Sequence, residues 1–275
     1  MTKKSAKTVL IILMAGLFNM ASARSGESHQ RIVSLASSHT MNLYDLGSQD
    51  LLVGCTSYCE VAKSDKVPVV ASAIKANIEK IVSLNPDLVL ATSIVSPETV
   101  ELLKKFGIRV EVFPTPSSFE ELCEQFLTLG SLIGKDEVAN RIISETRAGV
   151  SRIQKRSAGA KPMKFFIQIG AKPLFAVIPN TFMDDYIRFS NGVNITAGLR
   201  KGAITRETVV IRNPEIILIV TMGITGEEER EIWKGFESIN AVQNRRIFII
   251  DSNLASAQTP VSFLKTLETI ESLLN

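Results

Sequence analysis

The sequence predicts an α/β fold in which two lobes are joined by a single long α-helix, and three observations carry that prediction. Aliphatic runs alternate with helical patterns along both halves of the chain. One short device occurs twice: "IEKIVSLNPDLVL" (78–90) and "RETVVIRNPEIIL" (206–218) each run from a Glu through Asn-Pro-acid into branched aliphatics. Between the two, residues 136–156 contain no Pro, and Val138, Ile142, Ile143, Thr146, Val150 and Ile153 recur at helical spacing.

Taken in order, "RIVSL" (31–35) is a short strand and "TMNLYDLG" (40–47) a helix closed by Gly47. "LLVGC" (51–55) is a strand, and "NIEKIVSL" (77–84) a helix stopped by Pro86. "DLVLAT" (87–92) is an unbroken aliphatic run, as expected of a strand buried on both faces of a parallel sheet. "SPETVELLKKFG" (96–107) has a Ser cap, Pro in the first turn and a Gly stop, which defines a helix; "RVEVF" (109–113) is the next strand. The pattern then restarts with "KFFIQIG" (164–170), "FAVI" (175–178), "MDDYIRFSNGVNI" (183–195), "RETVVIRNP" (206–214), "EIILIV" (215–220) and "RIFIID" (246–251), and a terminal helix begins near Pro260. Both lobes are therefore Rossmann-like, with the repeated device stopping a helix at Asn-Pro and launching a buried strand. The helix between them would be a rod of about 30 Å, with acids at its start and bases at its end. A stiff crossing of that kind allows only a small closure of the ligand cleft between the lobes.

Residues 1–23 read as a secretory leader: Lys3, Lys4 and Lys7, then an apolar stretch too short to span a bilayer, then Ala21-Ser22-Ala23. The competing reading is a buried N-terminal helix. The implied division is leader 1–23, first lobe 24–134, linker helix 135–159 and second lobe 160–275. The formal charge of +3 falls to near zero without the leader lysines, which argues against nucleic acid and polybasic membrane contact. Cys55, Cys59 and Cys123 are an odd set, and their spacing does not decide between one disulfide and buried thiols; with no second Cys pair or His cluster, zinc is not expected.

In open α/β sheets ligands lie beyond the carboxyl ends of the strands. Candidate ligand contacts at those positions are Ser38, His39, Tyr58, Ser93, Phe175, Met222 and Asn253. His39 could ligate a metal centre in the ligand or could simply cap the surface. No nucleophile with its base, no carboxylate pair and no phosphate loop can be assembled, so no catalytic residue and no resident metal or cofactor is expected.

The stretches "RIVSLASSHTMNLYDLGSQDLLVGCTSYC" and "NIEKIVSLNPDLVLAT", followed in order by "FIQIGAKPLFAVIPNTFMDDYIRFSNGVNIT", "ITRETVVIRNPEIILIV" and "INAVQNRRIFIID", resemble the class III solute-binding proteins of ABC importers. That group serves cobalamin, ferric siderophores and haem. The resemblance implies a monomeric periplasmic receptor that delivers a metal complex, containing iron or cobalt, to an inner-membrane permease. It also implies one docking glutamate per lobe; by motif these are Glu98 in "SPETVELL" and Glu207 in "TRETVV", with Glu79 structural. Thr92, Lys201 and Ala257 stand where cobalamin-binding members carry Trp or Arg, and His39 where the family usually carries Asn, which leaves ligand identity open. Two other function classes are weighed against this one: a chelatase-type tetrapyrrole or metal enzyme, which would need carboxylates around His39, and a haem or metal scavenger with no permease.

Overall fold

A computed structural model describes residues 29–72, 75–223 and 225–274; the proposed leader lies outside the described residues. In the first half, β1 (Ile32–Ser34) runs directly into α1 (Ser37–Asp45), which Gly47 ends at φ +63°. β2 (Leu52–Thr56), β3 (Val69–Ala71), α2 (Ile78–Ser83), β4 (Leu88–Thr92), α3 (Pro97–Lys105) and β5 (Arg109–Phe113) follow. The strands form a parallel sheet in the order β3-β2-β1-β4-β5. β4 is aliphatic throughout because it lies beside β1 at the sheet centre, where Leu88 to Ala91 are fully buried. Ser96 caps α3, its Oγ accepting the Thr99 N–H at 3.3 Å, and Pro97 sits where no intrahelical donor is needed.

α4 (Phe119–Leu132) and α5 (Asp136–Ser157) then lead to the second half. There β6 (Lys164–Ala171), β7 (Leu174–Ala176), α6 (Asp184–Phe189), β8 (Val193–Asn194), α7 (Arg206–Arg212), β9 (Ile216–Val220), α8 (Gly226–Lys234), α9 (Asn240–Gln243), β10 (Ile247–Ile250), α10 (Ser252–Ala255) and α11 (Pro260–Leu274) complete the described chain. β10-β9-β6 is a parallel core; β7 returns antiparallel to β6 and β8 pairs with its start.

The repeated device is a fold symmetry. α2–Asn85-Pro86–β4 and α7–Asn213-Pro214–β9 occupy the same place in their sheets, and both asparagines take φ +47°. Asn tolerates that left-handed conformation, and Pro cannot continue a helix, so the pair stops each helix on one residue.

α5 alone carries the chain between lobes, but it is not a bare rod. α4 and α11 pack along it. Gly149 permits the approach of α11: a Cβ there would stand 2.6 Å from Leu264 Cδ2. Phe263 of α11 stacks on Tyr186 at 4.5 Å between ring centroids and lies 4.7 Å from Phe119. Asp185 at the start of α6 accepts the Phe119 N–H at 2.8 Å, so the second lobe caps a helix of the first. One apolar cluster consequently runs from Leu43 and Phe126 through α5 to Phe165 and Phe263. Such a shared core resists wide separation of the lobes.

Candidate functional site

The structure corrects the expectation for Ser38 and His39. Because only Leu35 and Ala36 separate α1 from β1, both lie in its first turn and face inward, at 8% and 4% exposure. His39 Nε2–H donates to the Ala91 carbonyl at 3.3 Å, and its ring packs 4.7 Å from that of Phe113. Burial pushes its pKa down to about 4, so the imidazole is neutral. It is a core residue rather than a side chain presented to solvent.

The other positions remain at the surface. Tyr58 follows β2 on a turn in which Cys59 N–H donates to Thr56 O at 3.2 Å, and its side chain is 62% exposed. Ser93 follows β4 and shares a hydrogen bond with Thr115 at 3.3 Å; beside it Ile94 is 74% exposed. In the second lobe Phe175 and Met222 are half-exposed, and they meet in one concavity of about 550 Å³ with Gly170, Lys172, Glu229 and Ile232. Asn253 is exposed in α10, its N–H bound to Asp251 Oδ1, and does not line that concavity. A second concavity of about 610 Å³ lies on the first lobe, around Ser57, Ala71, Ser72, Lys75 and Asn77. It escaped the sequence reading because β3, which forms its wall, is only three residues long.

A buried polar network backs the second-lobe concavity. Glu229 accepts from Gln168 Nε2 at 2.7 Å and from Arg206 Nη2 at 2.6 Å, and Trp233 Nε1 donates to Gln168 Oε1 at 2.7 Å. The Arg206 guanidinium lies over the Trp233 ring at 4.6 Å. Gln168 in the otherwise apolar "FFIQI" (165–169) is the one signal of this network in the sequence.

Glu98 and Glu207 have matching surroundings. Each is exposed in a first helical turn, two residues after a Ser or Thr cap, and its own backbone N–H and the cap hydroxyl hold its carboxyl below the usual range. Fold position separates them, however. α7 corresponds to α2, so the counterpart of Glu207 is Glu79, exposed two residues after its own cap, Asn77, whose side chain accepts the Lys80 N–H at 2.9 Å. Glu98 belongs to α3, one element further on. Among the described residues, no group of three or more His, Cys, Asp and Glu side chains could hold a metal ion.

A family model described as periplasmic binding protein matches residues 32–254. An ABC transporter substrate-binding lipoprotein of Bacillus subtilis is 28% identical over 84% of this chain and 76% of its own length. A vitamin B12-binding protein of Photorhabdus laumondii is 30% identical over 69% of this chain and 70% of its own. Among solved structures, a Staphylococcus epidermidis protein described as a possible iron-binding, periplasmic solute-binding protein superposes with a TM-score of 0.79 at 26% identity. That match covers 90% of this chain and 99% of the other.

Proposed function

The chain belongs to the periplasmic binding protein family, and from that premise we propose that it captures a metal complex, such as a corrinoid, ferric siderophore or haem, between its lobes. It is a substrate-binding protein of an ABC importer, not an enzyme. Binding proteins of this class work with a membrane permease, to which the bound complex would be presented by a monomer outside the cytoplasmic membrane. No helix among the described residues is long and apolar enough to cross a membrane.

The observation that carries the ligand class is the set of exposed apolar side chains near strand carboxyl ends: Tyr58 and Ile94 on loops of one lobe, and on the other Met222, on the loop after β9, with Phe175 in β7 beside the carboxyl end of β6. Large apolar groups in that position favour a broad, flat or bulky ligand over a small ion, which would instead need converging charges or hydrogen-bond donors. The fold symmetry supports Glu79 and Glu207 as the permease-facing pair in place of Glu98 and Glu207. Each is a solvated carboxylate at a helix N-terminus, available to a guanidinium.

Thermal-shift titration with cyanocobalamin, haem and a ferric hydroxamate tests the ligand reading. A saturable rise in Tm with one of them is expected; no response to any would remove the metal-complex reading. Uptake assays test the pair: the Glu79→Ala/Glu207→Ala double variant should lose uptake while still binding ligand, and Glu98→Ala should retain it. Loss with Glu98→Ala alone would restore the local-motif assignment.

A further inference from the structure

The three cysteines are not equivalent. Cys55 is the next-to-last residue of β2, and Cys59 closes the turn that follows. Both are buried, at 3% and 2% exposure, both are free thiols in this structure, and each lies close enough to the other to shift its titration. The Cys59 Sγ also lies 3.1 Å from Thr40 Oγ1 and 3.3 Å from Thr56 Oγ1. Two hydroxyls and a thiol directed at one sulfur favour its thiolate, holding Cys59 down at about 6 while the same contact pushes Cys55 up. Cys123 is buried elsewhere, in α4, where burial pushes its thiol up to about 12.

We propose that Cys55 and Cys59 close an internal disulfide in the exported protein, and that this bond pins the turn presenting Tyr58 to the ligand. The inference rests on the export reading, because a reducing compartment would keep the pair as thiols. The oxidant is a second disulfide, either of an oxidoreductase or of oxidised glutathione. Cys59 thiolate attacks one sulfur of that disulfide and displaces a thiolate, giving a mixed disulfide. Cys55, on losing its proton, then attacks the Cys59 sulfur and releases the second thiolate. The protein gives up two electrons and two protons, and the oxidant becomes two thiols. The odd cysteine is thereby accounted for: Cys123 stays reduced in the core.

The test is to express the full chain in a Gram-negative host, take the periplasmic fraction, and alkylate it with iodoacetamide in denaturant with and without prior reduction. Intact mass should show a chain lacking residues 1–23, with one adduct unreduced and three after reduction; Cys123→Ser should show none unreduced. Three adducts on unreduced, processed chain would overturn the disulfide. A chain that keeps its leader and stays inside the cell would overturn the export reading instead. In that case treatment of the folded protein with oxidised glutathione decides the pair separately: loss of two titratable thiols supports it, and three remaining thiols overturn it.

Discussion

Asp87 and Glu215, 128 residues apart, perform the same task in the two lobes. Asp87 Oδ2 accepts the N–H groups of Gln30 and Arg31 at 2.9 and 3.2 Å, while its own N–H donates to Arg31 O at 3.0 Å. Glu215 Oε2 accepts the Lys164 N–H at 2.9 Å, and its N–H donates to Lys164 O at 2.8 Å. Each acid thus clips the beginning of its lobe's first strand, β1 or β6, to the beginning of the neighbouring strand. The Asn-Pro-acid sequence therefore ends a helix, turns the chain, and sets the register of the central strand pair.

Removing either clip should cost stability without altering ligand binding. A charge-assisted hydrogen bond to a backbone N–H contributes about 1.5 kcal/mol, less where solvent competes, as at the half-exposed Asp87. Asp87→Ala and Glu215→Ala should each lower ΔG of unfolding by about 1 kcal/mol. The sites are far apart, so the double variant should lose the sum. Urea midpoints at unchanged m-value check this, and a double variant no worse than either single would show that the two clips are not independent.

Glu229 is a stronger test of buried electrostatics. Its carboxylate is shared by Gln168 and Arg206, and Arg206 Nη1 already has no partner. Glu229→Ala leaves the guanidinium and Gln168 short of an acceptor in a largely dry site, and should cost about 3 kcal/mol. Pairing it with Arg206→Met should recover part of that loss, because no uncompensated charge is then buried. Chemical denaturation of the two singles and the double completes the cycle; strict additivity would mean the contact carries no coupling.

Much of this was legible in the residues. Strands β4, β6 and β9, the capped α3 and the linker helix announced themselves by period, caps and unbroken aliphatic runs. β3 did not, because Val69–Ala71 is too short for a period to register. α4 carries the signals of a helix start, a Ser118 cap with Glu120 and Glu121 in the first turn. For His39 the obstacle was physical: a helix that begins two residues after a strand turns a loop position into a core position, and no local pattern reveals it. Glu98 matched Glu207 by its neighbours, Ser/Thr-x-Glu-Thr, whereas the repeated run from Glu to Asn-Pro-acid, already present in the sequence and equivalent in the two sheets, pairs Glu207 with Glu79.

Acid should expose His39. Its folded pKa, about 4, lies below the ordinary 6.5, so the unfolded chain binds the extra proton first. The stability it contributes is complete above pH 6.5 and is lost as pH falls through that value toward 4, amounting to about 3 kcal/mol. Asp45 works in the opposite direction. Burial raises it from 3.8 to about 6, so its contribution is complete below pH 3.8 and is lost as pH rises toward 6. The two slopes oppose each other between pH 4 and 6 and flatten the wild-type profile. In His39→Gln only the Asp45 slope remains, so stability relative to wild type should rise on acidification from pH 7 to 5. Urea denaturation across that range measures it, and parallel profiles would show that His39 titrates normally.

The ligand walls give the last prediction. Tyr58 and Met222, on loops after β2 and β9, and Phe175, in β7 beside the carboxyl end of β6, expose apolar surface that a bound complex would cover. Truncating a side chain that becomes buried on binding forfeits roughly 1 to 2 kcal/mol, about tenfold or somewhat more in Kd. Tyr58→Ala, Phe175→Ala and Met222→Ala should each weaken the ligand found by thermal shift by about that factor, with Tm of the free protein nearly unchanged because these side chains are already exposed. Phe106 is the matched control: it is 57% exposed at the carboxyl end of α3, which returns to the opposite edge of the sheet. Isothermal titration of Phe106→Ala should give the wild-type Kd. Weakening by Phe106→Ala with no effect from Phe175→Ala or Tyr58→Ala would move the binding surface away from the strand ends.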